Sequence, residues 1–256
     1  MPSLGGGWVS LTKGGPRRYH GSGWGESPLT ILRWATHCLF VLCLPILFTA
    51  TSVSVAAGEI RLYEYGIQRY GAAQRTGLTE AELLEGVRAF IRYFYSSEEL
   101  AEVRVLLRGQ EVPLFNQREA THLRDVKGLL LGVQRAQETT LVYGVAYALA
   151  GLLWKRGAIG PTLAQGLLWG SAVTVTIIVA LGVGILLDFE ELFLQFHFIS
   201  FANAFWMLDP SRDRLIMMFP EGFFRDATLL VAGGALAQAF LGIGAALTYL
   251  SRQSGR

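Results

Sequence analysis

The chain has 256 residues, of which 52% are hydrophobic and only 16% are charged, and its formal net charge is +2. This composition, with the polar residues gathered in blocks, is typical of an integral membrane protein. The small net charge and the scattered arginines exclude the basic patch that nucleic-acid binding requires, so no nucleic-acid partner is expected. The two cysteines, Cys38 and Cys43, form neither a disulfide framework nor a metal-binding cluster.

Four apolar segments predict membrane-spanning helices, because a helix needs roughly 20 residues to cross the hydrocarbon core of a bilayer. The predicted first, second, third and fourth spans are residues 34–57, 139–154, 162–187 and 227–250. The second span is somewhat short, so we expect it to stand nearly upright or to be extended by its flanks. The first also resembles a signal peptide, but its apolar run is longer than a usual signal core, which favours a retained anchor.

Basic residues predict that both ends of the chain are cytoplasmic. They precede the first span, separate the second span from the third, and follow the fourth, as the positive-inside rule requires; they are Lys13, Arg17, Arg18, Arg33, Lys155, Arg156, Arg252 and Arg256. Residues 1–33 and 251–256 are then cytoplasmic tails, the first of them flexible. The two polar blocks, 58–138 and 188–226, face outward.

The first outward block contains signals for a small folded cap. Thr79 and Glu82 form a capping box for an amphipathic helix that should end near Tyr95. Two short apolar runs flank Gly109 and predict a β-hairpin. The predicted fold is therefore a membrane all-α fold, with a four-transmembrane-helix bundle under a small α+β extracytoplasmic cap.

A further helix opens at Asn116 and leads into the second span, carrying His122 and Asp125 on one face. If unbroken, it would place His122 about 25 Å outward from Thr139, out of reach of a lipid ester. Because Gly128 and a second glycine one turn later offer places to bend, we predict that this segment folds back. Its apolar face, expected to lie against the bundle or the bilayer, consists of Leu123, Val126, Leu129, Leu130 and Val133.

The second outward block begins with an apolar helical stripe that His197 interrupts. Trp206 follows, as expected of an aromatic belt at a membrane interface. Asp209 and Pro210 predict a turn, because proline restricts the residue before it and cannot continue a helix ladder. Residues 215–224 are apolar enough to dip into the interface before the fourth span.

The predicted topology sorts the four histidines. His20 lies in the tail and His37 near the inner end of the first span, so only His122 and His197 belong to outward segments. The chain has no nucleophile elbow, zinc-protease motif, phosphate loop or dinucleotide fingerprint. The spans also lack charged residues away from their ends, which disfavours a transporter.

Two chemistries suit a site formed by His122 and His197. One is metal ligation with help from Asp125 or Asp209. The other is acid/base catalysis at an acyl carbonyl without a covalent intermediate, because an imidazole with a pKa near 6.5 is suited to accept a proton from an attacking amine. Asn203 could donate to a developing oxyanion or serve as a structural hydrogen-bonding residue.

Asp125 has two interpretations. Its carboxylate could fix the tautomer of a catalytic histidine. The alternative is a salt bridge on the helix surface with Arg124 or Arg118. The sequence leaves both open.

Three motifs resemble the lipoprotein intramolecular transacylases, a family of four-span bacterial membrane proteins, over residues 34–250. The first is Leu62-Tyr63-Glu64-Tyr65-Gly66 and the second is His122-Leu123-Arg124-Asp125-Val126-Lys127, in which Leu123 replaces the methionine of the family pattern. The third comprises His197, Asn203, Trp206, Asp209-Pro210, Asp213 and Phe219-Pro220-Glu221. The tail before residue 34 looks longer than is usual in the family.

The resemblance implies an acyltransferase of the bacterial cytoplasmic membrane with its active site at the extracytoplasmic face. The substrate would be a diacylated lipoprotein, whose sn-2 acyl chain moves to the amino group of its N-terminal cysteine to give a lyso-form lipoprotein, with membrane lipid as the surroundings and no metal or other cofactor. The implied catalytic residues are His122 and His197. Supporting or substrate-positioning residues would be Asp125, Asn203, Trp206, Asp209, Asp213 and Tyr65.

Two other functions stay open. The chain could be a non-catalytic envelope protein whose outer cap binds a partner, with the histidines serving packing. It could also be a metal-dependent intramembrane hydrolase.

Overall fold

A computed structural model describes residues 28–107, 109–155 and 159–255. The elements in these ranges are α1 (Pro28–Gly58), α2 (Ile60–Arg69), α3 (Ala72–Thr76), α4 (Glu80–Phe94), β1 (Arg104–Leu107), β2 (Gln110–Pro113), α5 (Gln117–Lys155), α6 (Gly160–Leu187), α7 (Phe189–Ser200), α8 (Arg214–Met218) and α9 (Glu221–Ser254). Most of the predicted N-terminal tail, residues 1–27, lies outside the described ranges, as do Arg156 and Arg256. Residues 28–33 already belong to α1.

The molecule is mostly helical, and its four long helices pack together. α1 packs against α5, α6 and α9, and α6 packs along α9. Within the described ranges, three helices are long and apolar enough to cross a membrane: Leu29–Gly58, Gly160–Leu187 and Glu221–Ser254. They contain the predicted first, third and fourth spans. α5 is not among them, because its apolar segment is short and lies between Glu138 and Lys155.

Small residues allow α6 and α9 to approach closely. Ala235 and Ala239 of α9 are fully buried. A Cβ atom added to Gly242 would lie 2.5 Å from the hydroxyl of Ser171 on α6, a distance that no real contact tolerates. These residues therefore serve close helix packing.

The cap is built around one apolar core to which α2, α4, α8 and the starts of α5 and α9 contribute; its largest buried members include Tyr63, Ile67, Leu83, Phe90, Leu114, Leu123, Met218 and Phe223. The predicted capping box of Thr79 and Glu82 is present, and α4 ends with Tyr95 as its C-cap. The predicted hairpin is also present, with Leu107 paired to Gln110 and Gly109 at φ 80°. Gly109 fits this tight connection because a glycine adopts positive φ without steric cost.

The predicted fold-back before the second span is wrong. α5 is one continuous helix of 39 residues, about 58 Å long. Gly128 lies inside it, and one glycine costs only about 1 kcal/mol relative to alanine, too little to break a helix that is packed at both ends. The apolar face of this segment packs on the cap instead, since Leu123 is part of the cap core and Val126 and Leu130 contact that core.

Candidate active site

The rings of His122 and His197 meet where α5 passes α7. Their centroids lie 6.1 Å apart with an angle of 34° between the ring planes. Each residue is 7% exposed. The two histidines that were predicted to lie in outward segments, 75 positions apart in the chain, are therefore brought together in one buried site, while His37 contacts the hydroxyl of Tyr147 between α1 and α5.

Aromatic side chains surround the pair. The ring centroid of Phe201 lies 5.0 Å from that of His122 and 5.5 Å from that of His197. The ring centroid of Trp206 lies 4.9 Å from that of His197. On α7 itself, Phe193 and Phe196 lie 4.4 and 5.4 Å from His197. The stripe of phenylalanines that His197 interrupts in the sequence thus forms a wall of the site, a role that its spacing alone does not indicate.

Burial keeps both imidazoles neutral. It lowers the pKa of His122 from 6.5 to about 4, with a smaller lowering from His197 that Asp125 partly opposes. Burial also lowers the pKa of His197, and its hydrogen bond to a backbone carbonyl acts in the opposite direction. At neutral pH each ring therefore has one nitrogen that carries a proton and one that has a free lone pair.

The backbone fixes the tautomer of His197. Its Nδ1 lies 2.7 Å from the carbonyl oxygen of Phe193. Because a carbonyl oxygen only accepts, Nδ1 carries the proton and Nε2 keeps its lone pair. In His122, Nδ1 is buried and has no hydrogen-bond partner among the described residues.

Asp125 holds Asn203 rather than a histidine. The side-chain amide of Asn203 donates to Oδ2 of Asp125 over 2.8 Å, and the other carboxylate oxygen lies 3.9 Å from Nε of Arg124. Asn203 also accepts a hydrogen bond from the amide of Phe205. Of the two interpretations of Asp125, the contact with Arg124 is observed and a hydrogen bond to His122 is not.

Asp213 and Glu119 accept hydrogen bonds that join residues 209–215 to the start of α5. Asp213 is 1% exposed and accepts hydrogen bonds from the Asn116 side chain over 2.8 Å and from the Asp209 amide over 2.7 Å. Glu119, also 1% exposed, caps α5 together with Asn116 and accepts from the amide of Leu215 over 2.6 Å. Glu119 therefore joins the start of α5 to the start of α8.

Asp209 and Tyr65 lie in the supporting framework. Asp209 accepts hydrogen bonds from the amide and hydroxyl of Ser211, which form a turn. Tyr65 and Tyr70 donate to the same oxygen of Asp226, over 2.8 and 2.6 Å, and so tie α2 to α9. In the part of the chain that the structure describes, no three His, Cys, Asp or Glu side chains are grouped as metal ligands.

Together these features define an integral membrane protein with a neutral histidine pair enclosed by aromatic rings beside a compact cap. The family model of the lipoprotein intramolecular transacylase Lit matches residues 38–224. The chain belongs to this family of membrane lipoprotein transacylases, as its motifs predicted.

Solved structures share the fold. The lipoprotein intramolecular transacylase Lit from Bacillus cereus superposes with a TM-score of 0.76 at 21% identity, covering 89% of this chain and all of that one. A form of the same enzyme with one histidine replaced by arginine gives a TM-score of 0.71 at 21% identity, covering 88% of this chain and 95% of that one.

A relative by sequence is an uncharacterised protein from Aquifex aeolicus, which is 24% identical over 195 residues; these are 76% of this chain and 85% of the relative.

Proposed function

We propose that this transacylase moves the sn-2 acyl chain of a diacylglyceryl lipoprotein to the amino group of its N-terminal cysteine, giving the lyso-form. The observation that carries the proposal is the buried His122–His197 pair, with centroids 6.1 Å apart and both rings neutral. A neutral imidazole accepts a proton through one nitrogen and donates through the other, and transfer from an ester to an amine needs both actions.

His197 is the general base in this proposal. The cysteine nitrogen attacks the ester carbonyl carbon, a C–N bond forms, and Nε2 of His197 takes a proton from nitrogen. The C–O bond to the glyceryl sn-2 oxygen then breaks, and the imidazolium returns its proton to that oxygen. The Phe193 carbonyl keeps Nδ1 of His197 protonated, so that Nε2 is the nitrogen available for this cycle.

His122 is the oxyanion donor. Its Nδ1 has no partner among the described residues and is therefore available to donate to the carbonyl oxygen as negative charge develops there. Trp206 and Asn203 position the substrate, with Asp125 holding Asn203. Asp209, Asp213 and Tyr65 support the framework. Because an amide is more stable than an ester, the transfer needs no nucleotide, metal or other cofactor.

We propose that this chemistry takes place at the outer face of the bacterial cytoplasmic membrane. We propose four spans, 34–57, 139–154, 162–187 and 227–250, with the second lying in the part of α5 that packs on α1. The tails 1–33 and 251–256 are cytoplasmic, and the segments 58–138 and 188–226 are extracytoplasmic.

Exposed apolar side chains bring the lipid surface up to the histidines, although α5 does not fold back. On α7, Phe198 is 55% exposed and Ile199 is 84% exposed, beside the buried His197. On α5, the exposed apolar side chains begin at Leu131, two turns before the predicted second span. The acyl ester of a membrane-held lipoprotein can therefore approach the pair from the bilayer.

The test uses purified protein and a synthetic diacylated lipopeptide. Mass spectrometry should show an acyl shift from oxygen to nitrogen without a change in mass. His122→Ala and His197→Ala should each lower the rate at least 100-fold, the usual range for removing an acid/base group. The matched control is His37→Ala, which removes an imidazole far from the pair. Folded His122→Ala and His197→Ala proteins with full activity would overturn the mechanism, and chelator-sensitive release of free fatty acid would instead identify a hydrolase.

A further inference from the structure

Residues 201–208, here called the cover segment, lie over both catalytic rings. Phe201 contacts His122 and His197, and Trp206 contacts His197 from the same segment. The rings are only 7% exposed under this cover. An ester carbonyl must approach both imidazoles to within hydrogen-bond distance, so the closed arrangement seen here has to open before a substrate can react.

Internal hydrogen bonds make the cover segment a single compact unit. It contains no helix or strand, and its own turns hold it together, with Met207 donating to the Ala204 carbonyl and Leu208 to the Trp206 carbonyl. Its two ends are fixed. Phe201 donates to the His197 carbonyl at the end of α7, and Asp209, just after the segment, donates to the buried Asp213.

Two polar contacts hold the middle of the cover segment to α5. Nη2 of Arg118 donates to the Ala204 carbonyl over 2.7 Å, and the Asn203 amide donates to Asp125 over 2.8 Å. Both contacts are exposed at the surface. Arg118, His122 and Asp125 are spaced i, i+4 and i+7, so one face of α5 carries the catalytic ring and, on either side of it, the two contacts.

Apart from Asn203, the exposed side chains of the cover segment are apolar. Phe205 is 42% exposed and Met207 is 47% exposed, next to the apolar surface that α7 presents. A displacement toward lipid therefore leaves these side chains in apolar surroundings. Opening requires the release of two exposed hydrogen bonds and of the aromatic contacts beneath, while Leu208, at the end of the segment, stays packed against the cap core.

We propose that the cover segment opens toward the bilayer to admit the glyceryl ester and closes over it, with Arg118 and Asp125 as the latches that hold it shut. Asp125 is then a positioning residue that acts through Asn203 and not through the tautomer of His122. The inference rests on the proposed function for its substrate, but the movement itself can be measured without any substrate.

The first experiment measures carbethoxylation of the imidazoles by diethyl pyrocarbonate, read residue by residue by mass spectrometry. In the unaltered protein His122 and His197 should react slowly. Asn203→Ala should accelerate both at least threefold while His37 reacts at an unchanged rate. The control Glu111→Ala breaks a similarly exposed ion pair with Arg104 on the hairpin and should change nothing. Equal rates in the Asn203→Ala and unaltered proteins would overturn the proposal.

The second experiment locks the latch. Asp125→Cys and Asn203→Cys are combined in a chain whose Cys38 and Cys43 are replaced by alanine, and are joined by a short bis-methanethiosulfonate linker. Linking should suppress both carbethoxylation and acyl transfer at least tenfold, and a reductant should restore both. If the linked protein is carbethoxylated as fast as the reduced protein, the proposal that the cover segment must open is refuted. If carbethoxylation follows the latch while no form of the protein converts lipopeptide, the movement stands and the proposed function is wrong.

Discussion

Burial of His122 should make the protein less stable in mild acid. The pKa of this imidazole is lowered from 6.5 to about 4, mainly by burial and then by His197. Between those two values the unfolded chain binds a proton that the folded protein does not bind. The contribution of His122 to stability is therefore complete above pH 6.5 and is lost as the pH falls toward 4.

The expected loss is measurable. For these two pKa values the linkage relation gives a decrease of about 2 kcal/mol in the free energy of unfolding between pH 8 and pH 5. The residue is only 7% exposed, so screening by solvent does not reduce this figure much. The measurement is denaturation by SDS in mixed micelles, followed by circular dichroism, for the unaltered protein and for His122→Gln at both pH values.

The comparison isolates His122 because other titrating groups act alike in both proteins. His197, whose pKa is also lowered by burial, changes stability in the same direction, and Glu119, whose pKa burial raises, changes it in the opposite direction. The unaltered protein should lose about 2 kcal/mol more than His122→Gln on going from pH 8 to pH 5. An identical loss in both proteins would refute the claim that the ring is neutral because it is buried.

Three further predictions concern packing, anchoring and catalysis. Gly66→Ala should destabilise the protein by about 1–2 kcal/mol in the same SDS titration, because the new Cβ would lie 2.5 Å from the Phe223 ring. Gly128→Ala has open space around the new Cβ and should stabilise the protein by up to about 1 kcal/mol. The opposite order of stabilities would contradict this packing. Asp213→Ala should cost about 2–3 kcal/mol in thermal unfolding because the Asn116 amide loses its buried acceptor; an unchanged midpoint would show that this anchor is dispensable. The acyl-transfer rate should rise with pH up to the pKa of the substrate amine, about 8, without an inflection near 6.5; such an inflection in a pH–rate profile would mean that an imidazole titrates normally.

The features that the sequence predicted best depend on neighbours within a few residues. The capping box at Thr79 and the glycine of the hairpin each depend on residues no more than three positions away, and both are present. The histidine pair could be anticipated for another reason. A membrane separates side chains into two compartments, and only His122 and His197 were assigned to the outer one.

Contacts between distant segments could not be predicted. Asp125 finds Asn203 78 positions away, and Asn116 finds Asp213 97 positions away, so no local pattern distinguishes these partners from others. The fold-back of α5 was wrong because Gly128 indicates only that bending is possible. Whether a helix bends is decided by the surfaces that it packs against, here the cap core around Leu123.

The aromatic shell around the pair has a consequence for the outcome of the reaction. A general base activates whichever nucleophile reaches it, so water competes with the tethered amine for the ester. Rings of Phe193, Phe201 and Trp206 flank the His197 imidazole, which is only 7% exposed, so little room is left for water beside it. In the proposed reaction this enclosure would direct the acyl chain to nitrogen and keep it on the lipoprotein, whereas an open site would release it as a fatty acid.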